Sequence, residues 1–199
     1  MNGVSRALFA AALLLPALSQ AQQQQTTRPQ SSQFNYSYVE LSYDESDFEV
    51  GGGDIDGDGL TLSGSFEIND DWHAFASFGN ADYDFGFDVD TWALGAGYVF
   101  PLQDDIDLYG RVLYIDREAD GPGGGGGDDD GLGLQFRIRA LVTDELELEG
   151  GIQYVDVGDN DTSLQAGARY YFSEQLSAGV GLTFGGDTDG IGINARYSF

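Results

Sequence analysis

The chain has 199 residues, which is enough for one domain with short appendages, and it contains no cysteine, so no disulfide supports its fold. Its 34 acidic residues face only 8 basic ones, all of them arginine, and the formal net charge of -26 excludes nucleic acid as a partner. Outside the N-terminus no run of about 18 apolar residues occurs, so the sequence excludes a membrane-spanning helix.

Two N-terminal segments are predicted to lie outside the fold. A positively charged start and an apolar run to Leu18 precede Ser19–Ala21, which has the small-x-small pattern of a cleavage site. Residues 1–21 are therefore predicted to be a secretory signal peptide. Residues 22–33 are rich in Gln, Ser and Thr and too polar to bury a core, so we expect a flexible periplasmic leader. The folded domain is predicted over residues 34–199.

Ten segments from Phe34 onward alternate apolar residues with small or polar ones. In one of them, Leu60 and Leu62 share one face of a strand while Thr61 lies on the other. The predicted strands are 34–43, 58–68, 72–81, 90–100, 106–116, 131–142, 145–156, 162–172, 176–184 and 190–199. This alternation predicts an all-β fold, an antiparallel up-and-down transmembrane β-barrel of about ten strands, with eight strands as the alternative.

The connectors between these strands alternate in length. Short connectors are predicted at 69–71, 101–105, 143–144 and 173–175. Longer connectors, rich in Gly and Asp, are predicted at 44–57, 82–89, 117–130, 157–161 and 185–189. Membrane barrels have short turns on the periplasmic side and longer loops outside. We therefore expect acidic extracellular loops and two periplasmic termini.

The polar face of the predicted strands is expected to line the lumen. Gln135, Arg137 and Arg139 alternate at mid-strand, where lipid would leave them without hydrogen-bond partners. Outward-facing aromatic residues are expected to form two girdles at the headgroup levels. One girdle comprises Trp72, Phe100, Tyr170, Phe172, Tyr197 and Phe199, and the other comprises Tyr43, Phe78, Trp92, Tyr114, Tyr154 and Phe184.

The last strand, Ile191–Phe199, has alternating apolar residues, an aromatic residue third from the end and a terminal Phe. Together with Trp92–Phe100 it resembles the small outer-membrane β-barrels of Gram-negative bacteria, of the OmpA-like and opacity-protein kind. The resemblance spans residues 34–199. It implies an outer-membrane location, contact with outer-membrane lipid, and recognition of the last strand by the barrel-assembly machinery. Many members have eight strands, so no subfamily function is carried over.

The inward charges predict an Arg–Glu network in the periplasmic half of the lumen. Pairing about the 143–144 turn brings Arg139 close to Glu149. Arg169 on the next strand is expected to face the same carboxylates, those of Glu147 and Glu149. Further candidates for the network are Glu40, Glu67, Asp107, Arg111 and Arg196. A network of this kind serves either as a structural plug or as a gate that selects ions.

One acidic segment matches a metal-binding pattern. Asp54, Asp56 and Asp58, followed by Gly59, repeat the opening of an EF-hand calcium loop. The twelfth position is Ser65, where a bidentate Glu is required, so a solvated acidic loop is the favoured interpretation and no metal site is predicted. Acidic loops would still attract divalent cations, including those that bridge the phosphates of lipopolysaccharide.

Two functions remain open on the sequence alone. The first is a structural or surface-interaction barrel that displays acidic loops, and the second is a small, narrow pore for ions or small solutes. Bulky side chains predicted to point inward (Phe75, Tyr109, Leu113 and Tyr171) favour the first. No catalytic or cofactor site is predicted, because the single histidine, His73, follows a short turn and lies far from the outer rim.

Overall fold

The computed structural model describes residues 32–50, 53–122, 125–186 and 188–199. Ten strands form a closed antiparallel barrel in which sequence neighbours pair and the first strand pairs with the last. The strands are β1 (Tyr38–Val50), β2 (Gly53–Glu67), β3 (Trp72–Tyr83), β4 (Phe87–Gln103), β5 (Ile106–Gly121), β6 (Gly125–Thr143), β7 (Leu146–Val157), β8 (Asp159–Tyr171), β9 (Leu176–Phe184) and β10 (Thr188–Ser198). The predicted up-and-down barrel is confirmed with ten strands. Within the described ranges, no helix is long and apolar enough to cross a membrane.

One end of the barrel, the turn end, carries the four short connections predicted from the sequence. Polar side chains close these turns by accepting hydrogen bonds from backbone amides. The side-chain oxygen of Asn69 accepts from the amides of Asp71 and Trp72, both at 3.0 Å. The hydroxyl of Ser173 likewise accepts from the amide of Leu176 at 3.0 Å. The same residue types that indicated turns therefore stabilise them.

The opposite end, the ribbon end, differs from the prediction of long loops. β1 and β2 stay paired as far as Val50 and Gly53, β3 and β4 as far as Tyr83 and Phe87, and β5 and β6 as far as Gly121. The long-loop prediction was wrong for most of these residues, which extend the barrel wall instead. We call the paired extensions the acidic ribbons: residues 44–50 with 53–59, 80–83 with 87–90, and 116–121 with 125–130.

The ribbons form because backbone pairing does not need a core-facing side chain. Glycine allows neighbouring strands to approach closely there: a Cβ at Gly57 would overlap the Tyr83 ring, and one at Gly126 would overlap the carbonyl of Ala119. The β3–β4 ribbon turns tightly at Phe85 and Gly86, with φ of 68° and 77°. Three residues, 84–86, connect the paired Tyr83 and Phe87, and positive φ at two of them makes the short connection possible.

The first strand begins later than predicted. Residues 34–43 were expected to form it, but pairing with β10 and β2 starts at Tyr38. The preceding residues, 32–37, bend into the lumen, where Phe34 and Tyr36 are buried. Their rings pack there against the inner wall, which explains why they do not extend the ladder. The predicted signal peptide and residues 22–31 of the predicted leader lie outside the described residues.

The outer surface of the barrel is apolar between two aromatic zones. Residues predicted to face outward are exposed, including Leu62, Phe136 and Val180. Rings of the predicted girdles lie side by side on neighbouring strands, as in Trp92 and Tyr114, whose centroids are 5.4 Å apart. β6 has 19 residues, so it is about 60 Å long. At a tilt of about 40° it rises well above a hydrocarbon layer of about 30 Å.

Candidate functional site in the barrel lumen

The first group of buried charges lies on the β6–β7 hairpin. The register places Arg139 opposite Glu149, as predicted. The Arg139 guanidinium forms a two-pronged ion pair with Glu147, with two hydrogen bonds of 2.8 Å, and its Nε lies 3.9 Å from Glu149. Glu149 is in turn paired with Arg137. Both Arg139 and Glu147 are 2% exposed in their side chains, so the pair is shielded from water and screened little by salt.

A second group joins the strands at which the barrel closes. Glu40 on β1 accepts hydrogen bonds from Arg196 on β10 at 2.9 Å and from Arg169 on β8 at 2.6 Å. Arg169 was predicted to face Glu147 and Glu149; the register does place it opposite Glu147, but its side chain contacts Glu40 instead. The difference arises because the wall curves and Arg169 reaches across the lumen past β9, whose nearest inward residues, Ser177 and Gly179, are small.

Arg111 and His73 form a third group without a carboxylate. The Nε of Arg111 donates to Nε2 of His73 at 3.0 Å, and Nη2 donates to the Tyr38 hydroxyl at 3.0 Å. The guanidinium also lies 4.3 Å from the Phe75 ring centroid. Among the described residues, no carboxylate forms an ion pair with Arg111. Because Nε2 of His73 accepts a hydrogen bond, that ring is neutral with its proton on Nδ1.

The N-terminal segment, residues 32–37, completes the turn-end layer of the lumen. The Tyr36 ring stacks on His73 with centroids 5.0 Å apart, and the Arg139 guanidinium lies 4.4 Å from the Phe34 ring centroid. Phe34 is 5% exposed, Tyr36 is 3% exposed and His73 is fully buried. These rings and the Arg139–Glu147 pair therefore fill the cross-section of the lumen at this level.

Sequence reasoning missed the role of this segment. It treated Phe34 and Tyr36 as the start of a strand in the barrel wall. A signal was present, since both residues have the same parity as Glu40, which was predicted to face inward. The alternation of apolar and polar residues does not predict the bend of the backbone before Tyr38.

An apolar cluster occupies part of the lumen nearer the ribbon end. It consists of Phe75, Ala93, Leu113, Ile115 and Val157, with Val155 packed against it. The predictions that Phe75, Tyr109, Leu113 and Tyr171 point inward are confirmed. The cluster narrows the lumen on the side of β3 to β7.

Two cavities lie on either side of the turn-end layer. The cavity toward the ribbon end has a volume of about 340 Å³. It is lined by Tyr38 and Arg111 and by the inward faces of β8, β9 and β10, where a Cβ at Gly181 would meet nothing within 4 Å. The cavity toward the turn end, of about 500 Å³, is lined by Phe34, Leu141 and Tyr171 among others. Phe34, Tyr36 and Arg139 stand between the two.

The acidic ribbons bear a row of outward-facing carboxylates. Strand register places Glu45, Asp58, Asp82, Asp88 and Asp120 opposite one another on five successive strands. Like charges at facing positions repel. A hydrogen bond with the Asp88 carboxyl, a small loss of hydration and the Asp88 charge together raise the pKa of Asp82, which is exposed.

The segment that matched an EF-hand opening is not a loop. Asp56 and Asp58 lie in β2, paired with Asp47 and Glu45 of β1. Alternate residues of a strand point the same way along an extended chain and do not wrap around an ion. The side chain of Asp54 lies outside the described residues. In the part of the chain that the structure describes, no three His, Cys, Asp or Glu side chains are grouped to hold a metal ion.

Comparison with known families decides the membership of the chain. The sequence profile of the outer membrane protein beta-barrel domain matches residues 10–199. The chain belongs to this family. Membership supports an outer-membrane location for the barrel. No curated protein shows significant similarity to the chain.

Solved structures share the architecture at low sequence identity. The KdgM porin in complex with disordered oligogalacturonate superposes with a TM-score of 0.50 at 10% identity, covering 81% of this chain and 99% of that one. Neisserial surface protein A gives 0.47 at 17% identity, covering 81% and 96%. The translocator domain of the autotransporter NalP from Neisseria meningitidis gives 0.49 at 14%, covering 98% and 97%. At these identities the similarity concerns the fold alone.

Proposed function

We propose that this protein is a closed, structural outer-membrane barrel that displays its acidic ribbons at the cell surface. The observation that carries the proposal is the packed layer at the turn end of the lumen. There, Tyr36, His73, Asp107, Arg139 and Glu147 are each at most 3% exposed. A lumen filled by paired charges and rings leaves the ribbons as the surface available to other molecules.

The orientation is part of the proposal. Short turns and both termini would lie in the periplasm, and the ribbons would lie outside, as in other barrels of this kind. The height of the wall supports this arrangement, because the ribbons extend beyond the aromatic zone that contains Trp92 and Tyr114. Recognition of the last strand, ending at Phe199, by the barrel-assembly machinery remains a prediction.

Lipopolysaccharide and divalent cations are the proposed partners of the ribbons. The outward row that includes Asp58, Asp82 and Asp88 would lie beside the phosphate-rich headgroups of the outer leaflet. A diffuse association with the cations that bridge those phosphates follows from charge alone. Chelator treatment of the barrel in lipopolysaccharide-containing membranes should increase the exchange rate of ribbon amides, and an unchanged rate would contradict this association. We propose no enzymatic activity, since His73 is enclosed in the lumen.

A narrow pore is the second candidate function. The 340 Å³ cavity favours it, because the cavity is lined by Gln135, whose buried Oε1 has no hydrogen-bond partner among the described residues. Planar-bilayer conductance of the refolded chain from Gln22 onward separates the two candidates. The structural function predicts a silent bilayer with a folded barrel, shown by its shifted mobility in unheated gels. Reproducible current steps would instead establish a pore.

A further inference from the structure

The layer that closes the lumen has two components of different origin. The Arg139–Glu147 pair belongs to the barrel wall, since both residues lie within paired strands. The rings of Phe34 and Tyr36 belong to residues 32–37, which precede the first ladder pair at Tyr38. Side-chain contacts and a backbone hydrogen bond from the Phe199 amide to the Ser37 carbonyl, at 3.1 Å, join this segment to the rest of the described chain.

Within the described residues, this segment supplies the hydrogen bonds to a buried carboxylate of the wall. Asp107 on β5 is fully buried. The Ser32 hydroxyl donates to it, and the Tyr36 hydroxyl donates to it at 3.1 Å. None of the described arginines forms an ion pair with Asp107, and its second oxygen has no hydrogen-bond partner within the described residues. Burying a carboxylate without partners is costly. The hydroxyls of the segment therefore stabilise the buried Asp107 carboxylate.

A second carboxylate of the wall binds the segment's backbone. Glu67 at the end of β2 accepts a hydrogen bond from the Tyr36 amide at 2.7 Å. In return, the Ser37 hydroxyl accepts one from the Glu67 amide at 3.0 Å. The Tyr36 ring lies between His73 and Tyr109, with centroid distances of 5.0 and 5.6 Å. The wall thus offers a receptor made of two carboxylates and two rings.

We infer that residues 32–37 are a detachable stopper, and that the barrel conducts ions when the stopper leaves the lumen. The inference rests on the proposed closed barrel. Removal of Phe34 and Tyr36 would open a path between the cavities of about 340 and 500 Å³, alongside the Arg139–Glu147 pair that stays on the wall. It would also uncover the buried carboxylate of Asp107 and would remove the Tyr36 amide from Glu67, which is already exposed. The opened path is therefore selective for cations over anions.

Conductance of a stopper variant tests the inference. The double variant Phe34→Ala/Tyr36→Ala, in the chain from Gln22 onward, should give discrete current steps while the unchanged chain is silent. Its reversal potential in a KCl gradient should indicate preference for K⁺. The matched control is Phe66→Ala/Tyr170→Ala, which removes the same ring types from the lipid-facing surface, where Phe66 is 61% and Tyr170 49% exposed. The control should remain silent.

The possible outcomes distinguish the stopper inference from the closed-barrel proposal. A folded double variant that stays silent overturns the stopper and leaves the closed barrel intact. Equal currents from the unchanged chain and the double variant overturn both. Currents from the lipid-face control as large as those from the double variant also overturn the stopper, because they show general leakage. If the double variant fails to insert, the single variant Tyr36→Phe replaces it in the test. This variant lacks only the hydroxyl bound to Asp107, and we expect it to show brief, frequent channel openings. A silent Tyr36→Phe variant then overturns the inference.

Discussion

At the residue scale, Glu40 is a carboxylate of the wall on which two arginines depend. It is the partner of both Arg169 and Arg196, whose side chains are 10% and 7% exposed. The three residues come from β8, β10 and β1, so their contact spans the closure of the barrel. The closure therefore depends on charge pairing inside the lumen as well as on the β1–β10 ladder.

Removal of the Glu40 carboxylate is expected to destabilise the barrel. Glu40→Ala leaves two buried guanidinium groups without a counter-charge, which typically costs about 3–5 kcal/mol. Equilibrium unfolding in denaturant, followed by the shift in gel mobility, measures the change. Glu174→Ala, in an exposed turn, is the control and is expected to change stability by less than about 0.5 kcal/mol. Equal effects of the two substitutions would contradict the role of Glu40.

Two inward glycines provide a test of packing around His73. A Cβ at Gly97 would overlap the His73 ring, whereas a Cβ at Gly181 would meet no atom within 4 Å. Gly97→Ala is expected to displace His73 from Arg111 and Tyr36 and to destabilise the barrel by about 1–3 kcal/mol. Gly181→Ala is expected to be nearly neutral. The same denaturant titration measures both, and similar stabilities for the two variants would refute the packing described here.

At the element scale, the acidic ribbons are held by backbone pairing against repulsion between their side chains. Asp82 and Asp88 face each other across the β3–β4 ribbon, and the pKa of Asp82 is raised. A carboxyl whose pKa is higher in the folded state destabilises that state fully above the raised pKa, and the effect fades as pH falls from the raised pKa to the ordinary one. The ribbon is therefore less stable at neutral pH than at mildly acidic pH.

Amide exchange of the β3–β4 ribbon tests this pH dependence. After correction for intrinsic exchange rates, protection of the ribbon amides should rise as pH falls from 7 through the raised pKa of Asp82. Asp82→Asn should show high protection at pH 7 and little change with pH, whereas Asp71→Asn, in a turn at the other end, should behave as the unchanged chain. Protection that falls on acidification would contradict the role of this carboxyl pair.

The sequence pattern predicted the strands within the barrel wall but not their extension into the ribbons. Alternation of period two predicted ten strands and the inward side of Arg137 and Arg139, because each strand has one lipid-facing side. It did not predict the ribbons, because Asp and Gly occupy both faces of these segments. Apolar and polar residues therefore do not alternate there. Pairing there depends on backbone hydrogen bonds, which side-chain patterns do not reveal.

At the scale of the whole molecule, contacts across the lumen were only partly predictable. Neighbouring-strand register predicted the proximity of Arg139 and Glu149. It did not predict that Arg169 contacts Glu40, because that distance depends on the curvature of the closed barrel. Nor did it predict the path of residues 32–37, whose bend is set by Asp107 and Glu67 on distant strands.

At this scale, we propose a closed barrel with its ribbons outside the cell and its turns in the periplasm. The absence of cysteine from the sequence allows its orientation to be read from single substitutions. Asp84→Cys lies at a ribbon tip, and Glu174→Cys lies in a turn at the other end. Labelling of intact cells with a membrane-impermeant maleimide is the most direct test. The account predicts that Asp84→Cys is labelled at once and that Glu174→Cys is labelled only after the outer membrane is permeabilised. Labelling of Glu174→Cys in intact cells, with Asp84→Cys protected, would contradict it.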